Sequence, residues 1–589
     1  MSPSPLDGLD ERQREAATAL RGPVCVLAGA GTGKTRVIIH RIAHGVDTGA
    51  YSPGRVMAVT FTTKAAGEMR GRLRALGVAG VAARTFHAAA LSQLNYFWPT
   101  VAGDTAPSIV DNKVRLLAHA ADGIGLDLDT PTLRDVAAEI EWRKVTMRSF
   151  DAYARARAQG VGRLGVDRVV DLQRAYEKLK DERRQLDFED VLLACAGMLE
   201  AEPRVAVAVR EQYRHFTVDE FQDVSPLQHR LLQLWLGERR DLCVVGDASQ
   251  TIYSFAGADA SYLLEFGSRY PDARVVRLET SYRSDAQILD VANELMRARP
   301  GALRLQPPGG AASGGRIPQV QAFDDDVAEA RGVAAAVAAQ LRSGIDPQRV
   351  AVLYRAHAQS AQLLQALAEE RVPATVLGGR RFFDMPEVRQ AVLALRGASV
   401  APLAGGLVDT VRDVLRSLGL TDEAPPAGGA LRDAWEARRA LLRLAEDAPQ
   451  STSLRGFTDD LMARAKDQHE LPLRTVTLAT LHAAKGLEWD HVHLVGMSEG
   501  LLPISYATTF EQVDEERRLA YVGITRAARS LSLSWARSGA SRASRSPSRF
   551  LQEIGSRSLH AVDAPASGGG SSSPTASPTA RRRPAPPAR

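Results

Sequence analysis

Pro23–Thr35 reads PVCVLAGAGTGKT, and this stretch decides the fold. A short apolar run ends in small residues, and a helical pattern follows from Thr35 to about His44. A strand, a Gly-rich turn and a helix in that order are the context of a phosphate-binding loop. The N–H groups of such a turn, backed by a helix N-terminus, form a cradle for anions. Ala28, Gly29, Ala30, Gly31, Thr32 and Gly33 would build the cradle, Lys34 would neutralise β/γ-phosphate charge, and the Thr35 hydroxyl would ligate Mg²⁺. The first loop position, Gly in the usual pattern, is Ala28 here.

Similar units recur on both sides of the chain's middle. RVMAVTFTTKAA, HFTVDEFQD, LCVVGDASQ and RVVRLETSYRS are short apolar runs that end in polar or hydroxyl residues. RVAVLYRAHAQS, RTVTLATLHAAKG, DHVHLVGMSEG and SLSLSW repeat the pattern later. Continuous apolar runs alternating with helices predict parallel sheets with functional loops at the strand ends. The reading is therefore α/β: two parallel-sheet cores, each carrying a helical insertion, and a C-terminal tail without order.

The boundaries follow composition. Residues 1–110 and 187–277 form the first core, which carries the phosphate-binding loop, interrupted by a charged amphipathic insertion at 111–186. Residues 278–387 and 474–560 form the second, interrupted by a shorter helical insertion at 388–473 that contains DEAPPAGGA. Gly309 to Gly315 reads as a loop, and 561–589, rich in Pro, Ser and Gly, is too poor in apolar residues to order itself.

With 589 residues, 45% hydrophobic and 24% charged, the chain can fill several cores. No apolar run approaches a membrane span, and the N-terminus lacks the order of a secretory signal. Three scattered cysteines, Cys25, Cys195 and Cys243, form neither a disulfide framework nor a CxxC site, so a reducing cytoplasm is the expected compartment. The net charge of +5 falls to +1 without the four arginines of the tail, so bulk charge says little about nucleic acid.

HFTVDEFQD supplies the acidic partner of the loop. Asp219 ends a strand, placed to hold Mg²⁺ directly or through water, and Glu220 would orient and deprotonate the attacking water. Nucleoside triphosphate hydrolysis follows from the pair. Transition-state charge on the γ-phosphate also needs cations; Arg283 and Arg526 stand in promising segments, although each is equally placed for a surface salt bridge.

Taken together, LDERQREA, AGAGTGKT, TFTTKAAGEM, RTFHAAAL, LDFEDVLL, VDEFQDVSPLQ, GDASQTIYSFAGA, LETSYRS, VLYRAHAQS, LGGRRFFDMPEVR, TLATLHAAKGLEWDHV and EERRLAYVGITRA resemble, in order, the motifs of UvrD/Rep/PcrA-type superfamily 1 DNA helicases, over about Leu9 to Leu551. The resemblance implies RecA-like cores, ATP with Mg²⁺, and 3′→5′ movement on single-stranded DNA. Its substrates would be single-stranded and 3′-tailed duplex DNA, in repair, recombination or replication restart. A repair or loading protein is an expected partner, with the chain a monomer or weakly self-associating. By the same resemblance Gln13, Arg36 and Tyr282 would surround the adenine and Glu488 would approach the ribose. Gln250 would sense the γ-phosphate, with Arg283 and Arg526 as fingers. Phe61, Thr63, His87, Tyr253, Phe255, Arg355, Thr480 and His482 match positions near DNA. Stacking on aromatic faces holds single strands at ~1–3 kcal/mol per base without reading sequence.

Departures from the family pattern are Ser281 in place of Asn, Ala256 in place of Arg, and a second insertion about half the family's length without a Gly-Ile-Gly hairpin. The last makes translocation more secure than strand separation. A translocase that strips proteins from DNA is therefore the second expectation. A non-motor, ATP-gated DNA-binding scaffold is the third, weakened by the presence of Lys34, Glu220 and Arg526.

Overall fold

The computed structural model describes residues 4–310, 315–377, 383, 385–399, 406–422, 430–446, 448–449, 452–466, 474–539 and 544–562. The core of the LGGRRFFDMPEVR motif, most of DEAPPAGGA and the tail from 563 onward lie outside them.

The first sheet has six strands in the order 82–85, 56–60, 215–218, 242–246, 24–28, 274–278, all parallel. Val24–Ala28 lies centrally, pairing Cys25 with Val244 on one side and with Val275 on the other. Cys25 is buried in one hydrophobic cluster and Val24, Val26 and Ala28 in another, so both faces of the strand are covered, which explains an unbroken apolar run rather than an alternating one. Ala82–Thr85, within AARTFHAAAL, adds an edge strand the sequence did not suggest. The predicted helix after the loop spans Lys34–Asp47.

The second sheet has seven strands in the order 374–376, 476–480, 350–354, 489–494, 527–536, 319–323, 560–562, also parallel. Three of these escaped the sequence reading: Ala374–Val376, Gln319–Phe323 and His560–Val562 are short, and their alternation is weak. Ala561 and Val562, assigned above to the tail, pair with Val320 and Gln321, so the sheet runs two residues further.

Helices Lys113–Gly123, Thr130–Val145, Phe150–Ala156 and Val166–Glu182 form the first insertion around a cluster that includes Leu117, Ile140, Tyr153 and Tyr176. A buried ion network anchors it to the first core. Lys144 meets Asp187 at 2.7 Å, Asp190 at 2.6 Å and Glu177 at 2.9 Å, while Lys180 pairs with the same three carboxylates. Asp187 and Asp190 are also the capping box of helix Phe188–Ala201. The second insertion holds helices Pro386–Ala398, Leu407–Ser417, Ala430–Glu446 and Leu454–Lys466 over its own cluster of Val388, Leu395, Leu415, Leu441 and Leu461.

Among the described residues no helix is long and apolar enough to cross a membrane. All three cysteines are buried and free, and burial pushes the Cys25 and Cys195 thiols up to about 12, which leaves them inert.

Candidate active site and nucleic-acid interface

The loops after strands 24–28, 215–218 and 242–246 meet at the C-terminal edge of the first sheet, where open α/β sheets bind ligands. In the phosphate loop Gly31 and Gly33 hold φ of +74° and +83°, values a side chain would strain, and Gly33 caps the helix that Lys34 opens. Thr32 Oγ1 donates to the Gly29 carbonyl at 2.9 Å, and Lys34 Nζ donates to the Ala28 carbonyl at 3.1 Å. Lys34 is thus parked on its own loop, in reach of an anion seated on the turn. The Thr35 hydroxyl lies one residue further, half-buried.

The second core closes over this loop. Tyr282 donates its backbone N–H to the Gly31 carbonyl at 2.9 Å. A Cβ on Gly31 would stand 2.5 Å from Ser281 Oγ and 2.7 Å from Arg283 Cβ, and one on Gly29 would strike Leu305. Arg283 therefore sits directly against the phosphate loop. Its Nε donates to Glu488 at 2.6 Å and its Nη1 to the Thr525 carbonyl at 3.2 Å. Glu488, expected near a ribose, is engaged with Arg283 here. On the other side of the loop, Gln13 donates to the Thr32 carbonyl at 3.0 Å, Arg36 to the Gly8 carbonyl at 2.9 Å, and the Tyr282 hydroxyl to Asp10 at 2.6 Å. Arg36 and Tyr282 line one exposed edge of the cleft, with the Tyr282 ring half open to solvent, while Gln13 is buried.

Asp219 and Glu220 end the strand His215–Val218 in the same cleft. Burial, reinforced by the adjacent Glu220 charge, pushes Asp219 up to about 7. Burial acts on Glu220 too, but the cations of Lys34 and Lys485 outweigh it and hold the carboxyl below its ordinary range. Glu220 adopts φ +51°, a strained conformation for a residue with a Cβ, and accepts from Gln222. A buried carboxylate pair next to a phosphate cradle fits a divalent cation, which would restore the charge of Asp219 when bound. Thr35 and Asp219 are the residues that would hold it. Magnesium keeps several waters and phosphate oxygens as ligands, so two protein groups suffice.

Gln250 completes the first core's contribution. Its Nε2 donates to Asp247 at 2.7 Å, and its Oε1 accepts from Arg526 Nη2 at 3.3 Å. Arg526 is 2% exposed and fixed by carbonyls: Nε donates to Val522 and Nη1 to Leu487, both at 3.0 Å. Burial first, then the charge of Arg283, pushes its pKa down to about 9, still well above neutrality. Arg283, paired with Glu488, and Arg526, held by carbonyls, a hydroxyl and an amide oxygen, thus both border a cradle built for anions.

The sequence reading assigned no role to Lys485, which reaches across the cores to Asp223 and, at 2.7 Å, to the Gln250 carbonyl, with its ammonium 5.0 Å from the Tyr253 ring. Tyr521 was missed as well. Its ring packs beside Ala30 in the second core's cluster, and burial followed by the Asp247 charge raises its hydroxyl pKa well above the ordinary value. Both stand inside segments already singled out, LHAAKGLEW and EERRLAYVGITRA, but nothing in the residues alone distinguished them.

The expected DNA contacts fall into two groups. Tyr253, Phe255 and His482 cluster with ring centroids 5.8–6.3 Å apart, with Phe255 61% exposed and Tyr253 seated against the second core. Thr480, buried, accepts from the Ala483 N–H and so shapes the turn that carries His482. Burial lowers His482 to about 4, so its imidazole is neutral. Arg355 is held by Glu516 in a bidentate pair, with the Tyr506 hydroxyl at 3.5 Å. In the second group His87 stacks on Phe188 at 3.9 Å, and Phe188, missed by the sequence reading, is largely exposed. Burial lowers His87 to about 4, and its Nε2 has no hydrogen-bond partner among the described residues. Phe61 packs edge-on against Phe86 with part of its surface open, and Thr63 opens helix Thr63–Ala75.

Residues 9–271 match the family model of the UvrD/REP helicase N-terminal domain, and 276–399 with 436–538 match that of the UvrD-like helicase C-terminal domain. The chain is 48% identical over 574 residues to the ATP-dependent DNA helicase UvrD2 of Mycobacterium tuberculosis, covering 93% of this chain and 81% of that protein. It is 30% identical to DNA helicase II of Escherichia coli, covering 93% and 88%, and 30% identical to the ATP-dependent DNA helicase PcrA of Leuconostoc citreum, covering 93% and 85%. With both halves of the family's motor matched, across a site assembled from both cores, the chain belongs to the UvrD/Rep helicase family.

Proposed function

We propose that the protein is an ATP-dependent DNA helicase that translocates 3′→5′ on single-stranded DNA, in repair, recombination or replication restart. One observation carries the reading. Gln250 of the first core is in contact with Arg526 of the second, and three to five residues later the same segment presents Tyr253 and Phe255 beside His482. A nucleotide between the cores and a base on the aromatics would be read by one short segment.

In this mechanism the phosphate loop binds the triphosphate, and Lys34 leaves the Ala28 carbonyl for the β/γ-phosphates. Mg²⁺, which Thr35 and Asp219 would hold, would supply charge neutralisation to the phosphates. Glu220, kept ionised by Lys34 and Lys485, orients the attacking water and takes its proton. Gln250 turns from Asp247 toward that water. Arg283 and Arg526 stabilise the charge that develops on the transferring phosphoryl group, and water exclusion by the closed cores strengthens both contacts. Gln13, Arg36 and Tyr282 hold the base, and Glu488 exchanges Arg283 for the ribose. Closure on ATP and opening after hydrolysis then move two DNA grips alternately, one at Phe61, Thr63 and His87, the other at Arg355, Thr480 and His482. A cytoplasmic monomer with reduced cysteines is consistent with the buried, inert thiols.

ATP turnover with and without single-stranded DNA, measured beside unwinding of 3′- and 5′-tailed duplexes, tests the proposal. DNA-stimulated turnover with unwinding only from 3′ tails is expected; turnover indifferent to DNA would defeat it. The shortened second insertion favours a second reading, a translocase that displaces proteins from DNA and unwinds weakly. Efficient unwinding by the isolated monomer would remove it.

A further inference from the structure

Helix Phe510–Ile524 belongs to the second core, yet one face of it lies along the segment Gln250–Phe255 of the first. Arg526, just past its C-terminus, touches Gln250 Oε1 at 3.3 Å. Arg518 Nε donates to the Thr251 carbonyl at 2.7 Å while its Nη1 pairs with Asp514 at 2.7 Å. Glu515 accepts the Ser254 N–H at 2.9 Å, and the Phe255 N–H faces the same carboxylate. Glu515 and Arg518 stand three residues apart on one face of the helix and Arg526 follows just past its end, so the three contacts are spread over roughly 16 Å. Between them Ile252, fully buried, inserts into the hydrophobic cluster of the second core beside Leu519 and Tyr521. The segment is continuous with the first sheet but is gripped along its length by the second core.

The neighbouring carboxylate adds a further contact. Glu516 holds Arg355 in its bidentate pair and accepts the Ile504 N–H at 3.2 Å, in the loop that carries the exposed Tyr506. Two adjacent acids on one helix therefore hold the backbone close to an exposed aromatic of each core, Phe255 and Tyr506, while the guanidinium of Arg526 stands just past the far end of that helix.

We infer that Glu515 and Arg518 are positioning residues that tie Phe255 to the nucleotide state, with helix Phe510–Ile524 as the rigid connection. The inference rests on the motor function proposed above. When the cores close on nucleotide, Arg526 and Glu515 move together, so the backbone of Ser254 and Phe255 is carried with them. Without the carboxylate, the cores still close and hydrolyse ATP, but the aromatic pair is no longer moved in step.

The test uses the full chain with Glu515→Ala, Glu515→Gln and Phe255→Ala, reading ATP turnover with and without oligo(dT) and the ATP consumed per nucleotide travelled. Turnover without DNA and the KM for ATP should stay at the parent values in Glu515→Ala. Stimulation by DNA should fall roughly tenfold and ATP consumed per nucleotide should rise. Glu515→Gln keeps the size and one acceptor oxygen, so it should lose less, and it carries the test if Glu515→Ala does not fold. The double variant Phe255→Ala/Glu515→Ala should be no worse than Phe255→Ala alone, because both act through one ring. Unaltered stimulation and step economy in the Glu515 variants, or additive losses in the double variant, overturn the inference. A parent protein that shows no stimulation by DNA overturns the motor function itself, so the two failures are distinct.

Discussion

Replacing Arg526 with Ala removes the cation that the second core presents to the nucleotide. The guanidinium engages the Val522 and Leu487 carbonyls at 3.0 Å, the Thr525 hydroxyl at 3.2 Å and Gln250 Oε1 at 3.3 Å. The two carbonyl bonds are the short ones and hold the group on its own core; the longer Gln250 contact is the one to be exchanged for a phosphate oxygen. Removing an arginine finger costs about 10³–10⁵ in rate, which is ~4–7 kcal/mol of transition-state stabilisation. Loss of the bonds to buried carbonyls also costs about 1–3 kcal/mol of folding stability, a separate effect that melting detects. Arg526→Lys keeps a charge but lacks the planar fork whose Nε, Nη1 and Nη2 reach separate acceptors, so kcat should still fall at least ~10²-fold. Saturating-ATP turnover in the presence of oligo(dT), with KM for ATP and a melting curve for each variant, separates these effects. A folded Arg526→Ala protein that retains kcat within tenfold of the parent would refute the assignment of the finger.

Gly31→Ala should fail both ways at once: φ of +74° strains Ala, and its Cβ would meet Ser281 and Arg283, so ATP affinity and thermal stability should both drop, by about 1–3 kcal/mol in melting analysis. Phe255→Ala should weaken oligo(dT) binding by ~1–3 kcal/mol in a titration while leaving the melting temperature and KM for ATP unchanged, because the ring is mostly exposed. In the ion network, burial raises Asp187 but the charges of Lys144 and Lys180 outweigh it, leaving its pKa below the ordinary carboxylate value. Its contribution to stability is therefore full above the unfolded value of about 4 and is lost as pH falls further, so the urea midpoint should decline below about pH 4. Lys144→Ala, which removes the nearer of the two lysines paired with buried Asp187 and leaves Lys180 at 3.3 Å, should cost about 3 kcal/mol at neutral pH in the same assay.

Much of this was legible in the residues because phosphate chemistry demands local signatures. The Gly turn after Val24–Ala28 and the Asp-Glu after His215–Val218 each sit where a strand must end, and the fold brings them to one sheet edge. The parallel cores were readable from continuous apolar runs buried on both faces, whereas Gln319–Phe323, only partly buried and broken by Gln319 and Gln321, carried no such pattern. Contacts between the cores were illegible. Lys485 to Asp223, Arg518 to Thr251 and Glu515 to Ser254 join residues more than two hundred positions apart, and a charged residue on an amphipathic helix looks the same whether it meets water or another domain. The pairs of Arg283 with Glu488 and of Arg355 with Glu516 were hidden for the same reason. Phe188 was read as part of LDFEDVLL, but only its stack on His87 shows which way the ring points.

Directional movement is the central claim, and arrival at the end of a strand measures it most directly. Single-stranded oligonucleotides of increasing length, labelled with a fluorophore at either end, are mixed with protein and ATP in a stopped-flow instrument with a trap for released protein. The account predicts a lag that lengthens with the oligonucleotide when the label is at the 5′ end and no such lag at the 3′ end. A length-dependent lag at the 3′ end, or none at either, would contradict it.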